Sequence, residues 1–301
     1  MKSLILFIIL ILALTACTQT VVTIPKNQSV TVTDVPVENQ TNSTPAPPPI
    51  PEGQISILLP RNGNLSAFVP RLSTGQVVLI ITPGNQTILI NGGIEDDAVY
   101  LNSFIRDVGV GKIDYVIATG GAEQHVGGLP FLMSRFNPDL LYFSGIPTEH
   151  NLFLEYPINK FLLPSDETIT IGGVVVKILT PYKDSVGFEG DINDNALVVR
   201  LIYGSESWLI MNDCTSTCQA HLDADLDVET TLLFLPARCE DTSLYLLNEA
   251  NPRKLVYGYP EELCHDVMDK IAYINVPLTQ LNEGELLATT DGLETSVYYK
   301  P

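Results

Sequence analysis

From residue 54 onward the chain is built from short apolar runs bounded by Gly, Pro, Asn and Asp. Runs of this length and kind predict strands rather than helices. Ile55–Leu59 reads as a first strand. Val77–Thr82 and Gln86–Asn91 predict a hairpin about Pro83-Gly84-Asn85, a turn signal. Asp96–Val108 has helical spacing, with Val99, Phe104 and Ile105 as its apolar positions. Ile113–Thr119 reads as a buried strand, and a helix is expected to begin near Gly127. Thr168–Thr180 predicts a second hairpin about Gly172-Gly173. Ala196–Tyr203 and Trp208–Met211 predict a third, turning at Gly204-Ser205-Glu206. Thr231–Leu235 and Lys254–Tyr257 read as buried strands, and Cys264–Ile274 as an amphipathic helix. Gly284–Thr290 and Glu294–Tyr299 close the chain as a hairpin about Asp291-Gly292. Hairpins in runs, with single helices between them, predict mixed sheets with helices outside, an α+β sandwich rather than a parallel sheet.

The first residues follow another pattern. Lys2 precedes an unbroken apolar stretch, Leu4–Leu14, which fits the core of a signal peptide and is short for a membrane span. Leu14-Thr15-Ala16-Cys17 follows and resembles a lipobox, in which the cysteine carries the lipid and becomes the mature N-terminus. An ordinary signal peptide cut after Ala16, or an uncleaved anchor, is the alternative. Residues 18–53 are rich in Thr, Val, Asn and Pro and end in a proline run, Pro45–Pro51, which predicts an extended spacer. The expected organisation is a leader over 1–17, a tether over 18–53 and one domain over 54–301, extracytoplasmic and held to the membrane through Cys17.

Composition sharpens this picture. Lys and Arg number 16 against 35 Asp and Glu, a formal net charge of -19, which opposes general binding of nucleic acid. Solubility is the commoner use of such a balance. Five N-x-S/T sequons occur, at Asn27, Asn39 and Asn42 in the tether and at Asn64 and Asn85 beyond it, as in a glycosylated surface protein. Four cysteines remain after Cys17: Cys214, Cys218, Cys239 and Cys264. An even number in an exported domain favours disulfides, and their spacing leaves the pairing open. A cysteine-rich metal site is the alternative.

The order of the motifs carries a resemblance. Val78–Gly93 is similar to the opening hairpin of metallo-β-lactamase-fold hydrolases, most of all the extracellular domain of ComEC-type competence proteins, which take up DNA. Val108–Thr119 resembles the family's next strand. Asn193–Leu201 is similar to its NDNSLVLRL segment, and Met211-Asn212-Asp213 falls on its TGD. Pro236–Glu240 falls on PHHGS, Tyr257–Pro260 on YGHP, and Gly284–Gly292 on the terminal GTIxIxTDG hairpin. The resemblance covers roughly residues 54–300 and implies a four-layer αβ/βα sandwich.

In that family a T-H-x-H-x-D-H-x-G-G loop supplies ligands to one or two metal ions, zinc or manganese, which activate a water. This chain has Thr119–Gly128 there. Carried over residue by residue, the two leading histidines fall on Gly120 and Ala122, and the aspartate on Gln124. His125 alone is kept. Asp213 keeps the bridging aspartate. The later His-His pair falls on Ala237 and Arg238, the last active-site histidine on Tyr259, and the NDNS serine on Ala196. Glycine and alanine carry no donor atom, and Arg238 would repel a metal. A catalytic metal needs about three protein ligands and an open position. The resemblance therefore implies a kept fold without its dinuclear chemistry, a pseudo-hydrolase with no cofactor. His125 alternatively reads as a helix-start histidine bonded to backbone. The resemblance also brings the segments of Cys214, Cys239 and Cys264 to the mouth of the site, so disulfides are expected to tie loops that metals once held, with Cys239 joined to Cys214 or Cys218.

Three functions compete. The first is a tethered, non-catalytic binding or scaffold protein with an unknown ligand or protein partner. The second is a metallohydrolase, with Zn or Mn, acting on phosphodiesters or other esters through Glu123, His125, Asp194 and Asp213, and linked to DNA uptake. Only Arg106, Lys112, Arg135 and Arg238 lie near the relevant segments to meet a polyanion. The third is an inactive partner subunit of a DNA-uptake or envelope assembly.

Overall fold

A computed structural model of the chain describes residues 63–143, 159–162, 168–180, 192–220, 222, 228–281 and 284–300. All belong to the compact unit Asn42–Pro301. The leader, Cys17, the tether, the sequons at Asn27, Asn39 and Asn42, and the Ile55–Leu59 strand lie outside the described residues. No helix among those residues is long and apolar enough to cross a membrane.

Two sheets form the body. One contains β1 (Leu65–Val69), β2 (Val78–Ile81), β3 (Thr87–Ile90), β4 (Tyr115–Ala118), β5 (Leu140–Phe143), β6 (Asn159–Leu162), β14 (Glu285–Thr290) and β15 (Thr295–Lys300). Its order is β15-β14-β1-β2-β3-β4-β5-β6. Pairing is antiparallel from β15 to β3 and parallel from β3 to β6. The other contains β7 (Thr168–Ile171), β8 (Val174–Ile178), β9 (Val199–Tyr203), β10 (Glu206–Ile210), β11 (Leu232–Phe234), β12 (Lys254–Tyr257) and β13 (Leu278–Gln280). Its order is β13-β12-β11-β10-β9-β8-β7, parallel from β13 to β10 and antiparallel beyond.

Strand alternation sorts the apolar side chains into layers. Val78, Ile80, Ile88, Ile90 and Ile117 of the first sheet share one buried cluster with Val176, Val199, Trp208, Ile210 and Phe234 of the second. Their neighbours on the opposite faces pack outward. Leu79, Leu89 and Val116 meet helices α1 (Ala98–Asp107) and α3 (Leu129–Phe136). Leu209, Leu233 and Leu255 meet α5 (Leu244–Ala250) and α6 (His265–Ile274). The result is the expected helix–sheet–sheet–helix sandwich. The short α2 (Glu123–Val126) and α4 (Ser216–Ala220) lie at strand ends.

Three details depart from the sequence reading. Val99 is 65% exposed, and Leu101 takes the core position in α1 beside Phe104 and Ile105. The helical stretch near Gly127 begins earlier, at Glu123, and restarts at Leu129. Glu206 belongs to β10, so the turn there is Gly204-Ser205 alone.

Candidate functional site

The carboxyl ends of β3, β4, β10, β11 and β12 meet at one edge of the sandwich, the usual location of a ligand crevice in α/β sheets. Two left-handed asparagines shape it. Asn91 (φ 65°) and Asn212 (φ 51°) each end a strand in a conformation that asparagine tolerates better than most residues. Asn91 Oδ1 accepts from Thr119 N at 2.9 Å and Thr119 Oγ1 at 2.8 Å. Asn91 Nδ2 donates to Asn212 Oδ1 at 3.4 Å, and Asn212 Nδ2 to Leu197 O at 3.2 Å. The Leu197 amide donates to Thr119 O at 2.7 Å. The two sheets are therefore stitched together beneath the site by buried polar groups, each satisfied by another.

The Thr119–Gly128 loop takes its shape from close backbone approaches. Gly128 packs on the β3 end so tightly that a Cβ there would stand 2.2 Å from Gly92 O. Gly92 N donates to His125 O at 2.7 Å. A Cβ at Gly120 would stand 2.9 Å from His125 Cδ2. The position that holds a histidine in the resembled loop is thus the space against which this chain's own histidine ring packs.

His125 and Asp213 meet. His125 Nε2 stands 2.9 Å from Asp213 Oδ2, with both side chains buried, although the ring is not aligned as a regular hydrogen bond. Two further donors complete the arrangement. Gln124 Nε2 donates to Asp213 Oδ2 at 2.9 Å, and Tyr259 OH donates to Asp213 Oδ1 at 3.0 Å. Burial pushes the Asp213 carboxyl up. The facing charge of His125, with the bonds from Gln124 and Tyr259, outweighs burial and brings it down to about 2. Burial first, and then the Asp213 charge, push the Tyr259 phenol well above its ordinary value, so it stays a donor.

The other candidates stand apart. Glu123 is exposed at the start of α2. Asp194 accepts from Thr215 Oγ1. Arg238 Nε lies 3.4 Å from Asp241 Oδ2, and Asp241 Oδ1 accepts from Ser216 N at the start of α4. In the sequence Gln124 and Tyr259 stood out only as positions where the resembled family carries ligands. The readable signal was that each carries a hydrogen-bond donor rather than an apolar replacement.

These residues do not fit a resident metal. Both Asp213 oxygens accept from protein donors, Gly120, Ala122 and Ala237 bring no ligand, and Tyr259 is turned to Asp213. Among the described residues no three of His, Cys, Asp and Glu gather to hold an ion.

The cysteines pair otherwise than expected. Cys214 joins Cys218, with Cα atoms 5.3 Å apart, and Cys239 joins Cys264, with Cα atoms 6.0 Å apart. Both spacings suit a disulfide. Cys214 lies two residues before α4 and pairs with Cys218 within it, so the bridge expected from Cys239 to this pair is replaced by a local one. The second bridge ties the loop after β11 to the N-cap of α6, at the far end of the loop carrying Tyr259.

No protein-family model matches the chain, and no curated protein is significantly similar to it in sequence. Solved structures are similar in fold. The metallo-beta-lactamase fold protein YhfI from Bacillus subtilis aligns over 73% of this chain and 98% of its own, with TM-score 0.52 and 14% identity. The E377D mutant of the CmlA beta-hydroxylase aligns over 81% of this chain and 54% of its own, with TM-score 0.50 and 12% identity. Igni18, a metallo hydrolase from the archaeon Ignicoccus hospitalis KIN4/I, aligns over 77% and 98%, with TM-score 0.48 and 11% identity. The likeness to YhfI over nearly the whole of that protein shows that the chain has the metallo-β-lactamase fold.

Proposed function

We propose that the chain is a membrane-tethered surface lipoprotein whose metallo-β-lactamase-fold domain is a non-catalytic binding or scaffold module. The observation that carries this reading is the occupation of Asp213. In a metal site of this kind a bridging carboxylate faces cations that activate water. Here both oxygens are engaged by Gln124, Tyr259 and the facing His125. A carboxylate with pKa held near 2 by such donors is a poor base at neutral pH, and no second buried carboxylate accompanies it among its partners. The lipobox at Cys17 and the proline-rich tether support a location outside the cell membrane, anchored to it. The resemblance to ComEC-type domains suggests descent from DNA-handling hydrolases, and the net charge of -19 opposes a retained grip on nucleic acid.

The test is elemental analysis of the purified chain, with a nuclease and phosphodiesterase panel in Mn²⁺ and Zn²⁺. The expected result is metal far below one equivalent and no turnover. Stoichiometric metal, with turnover abolished in both His125→Ala and Asp213→Ala, would replace the binding module with a metallohydrolase.

A further inference from the structure

Beside the filled metal position, two loops border an open depression of about 490 Å³ lined by Arg71, Leu72, Ser73, Pro260 and Glu261. One loop joins β1 to β2, and the other follows β12 and carries Tyr259. The volume is in the range of small-molecule sites. Its charges are arranged unusually. Arg71 is exposed and has no ion-pair or hydrogen-bond partner among the described residues. Glu261 shares the depression without pairing to Arg71, and among the described residues its Oε1 accepts only from Thr74 Oγ1 at 3.3 Å. Ser73 is already engaged, its amide and hydroxyl both donating to Asp97. The open polar groups are thus one cation and one anion, and the apolar lining is half-buried Pro260 with the 4% exposed edge of Leu72.

A second observation lies in the same seam. Gln76 is buried, and among the described residues neither its Oε1 nor its Nε2 has a partner. Its Nε2 packs beneath the second loop, where a Cβ on Gly258 would stand 2.1 Å from it. Buried amides left unpaired are rare in folded proteins and call for a partner. The two loops that hold Arg71 and Glu261 apart therefore also enclose an unmet donor and acceptor.

A simple anion would meet Glu261, and a simple cation would meet Arg71. A ligand carrying both charges satisfies both. We propose that this depression binds a free α-amino acid with an aliphatic side chain, its carboxylate on Arg71, its ammonium on Glu261 and its side chain against Leu72 and Pro260. Arg71 suits the carboxylate because its planar fork gives two parallel hydrogen bonds. The proposal rests on the reading of the domain as a binding module and gives that module a ligand class.

Calorimetric titration of the full chain in detergent with leucine, leucinamide and N-acetyl-leucine tests it. Leucine is expected to bind at least tenfold more tightly than either blocked form. In Arg71→Gln the preference over leucinamide disappears, and in Glu261→Gln the preference over N-acetyl-leucine disappears. Both residues lie at the surface, so the folded melting transition is expected to persist in each variant. Absence of binding by leucine, isoleucine and valine overturns the proposal, as does equal binding of the blocked forms by the unaltered chain. Those results leave the non-catalytic reading standing, because that reading fails only through bound metal and turnover.

Discussion

At the residue scale, the site depends on one carboxylate and what surrounds it. Asp213 has its pKa lowered from 3.8 to about 2 in the fold, so its contribution to stability is complete above pH 4. It is lost as the pH falls through about 2. The shift corresponds to roughly 2 kcal/mol. Acid titration of the folded state, comparing the chain with Asp213→Asn, is expected to show that difference above pH 4 and its disappearance by pH 2. A difference constant across that range would mean that Asp213 is not held by charge. Tyr259→Phe removes the donor to Oδ1 inside a buried site and is expected to cost about 1–3 kcal/mol, read from denaturant unfolding. The sequence made His125 and Asp213 legible because each fell on a motif of the resembled family, His125 on the ligand loop and Asp213 on the TGD segment. Their partners were not legible in the same way. In the resembled motif Gln124 and Tyr259 stand where ligands are expected, and only three-dimensional proximity shows that both donate hydrogen bonds to Asp213. Gly120 has the same lesson, since its lack of a side chain reads as loss until the His125 ring is seen packed against it.

At the element scale, the hairpins were readable, as were the buried strands within Ile113–Thr119, Thr231–Leu235 and Lys254–Tyr257. The Pro83-Gly84-Asn85 and Asp291-Gly292 turns join strands that pair as expected, because turn chemistry is local. Leu65–Val69 was not recognised as a strand. All five residues are buried, so its polar–apolar alternation is absent, and it pairs with β14, more than two hundred residues away in sequence. The phase of α1 was wrong at Val99 for a related reason. Which face of a helix is buried depends on the sheet beneath it, and Leu101 reaches Leu79 and Leu89 where Val99 does not. The pairing of the cysteines was open on spacing alone and fell the other way from the motif-based expectation. The Cys239–Cys264 bridge closes a segment of sequence separation 25, and on chain-entropy grounds such a bridge contributes about 3 kcal/mol. Replacing both cysteines with serine is therefore expected to lower the melting temperature by on the order of 10 °C. An unchanged melting temperature would show that the loops after β11 and β12 are held by packing alone.

At the scale of the whole molecule, the sandwich and the site answer to different parts of the sequence. The central core joins Trp208, Phe234 and the aliphatic faces of both sheets, and it tolerates any edge chemistry that leaves those faces intact. Side chains at the strand ends can therefore vary while the core persists, and similarity of fold does not fix activity. The charge of the chain then separates its possible uses. A polyanion is held by releasing counterions from clustered Lys and Arg, and the 16 basic residues here are outnumbered by 35 acidic ones. Arg238 is further engaged by Asp241, and Lys112 by Asp139 and Asp114. Fluorescence anisotropy with labelled single- and double-stranded DNA at low salt is the sensitive test, since screening is weakest there. No binding is expected at 50 mM salt, with or without Mn²⁺. Micromolar binding that weakens steeply with salt would require a basic surface outside the described residues and would return the domain to nucleic-acid handling. Binding that appears only with Mn²⁺ would instead place a cation between acid and phosphate, and would count against a site closed by its own side chains.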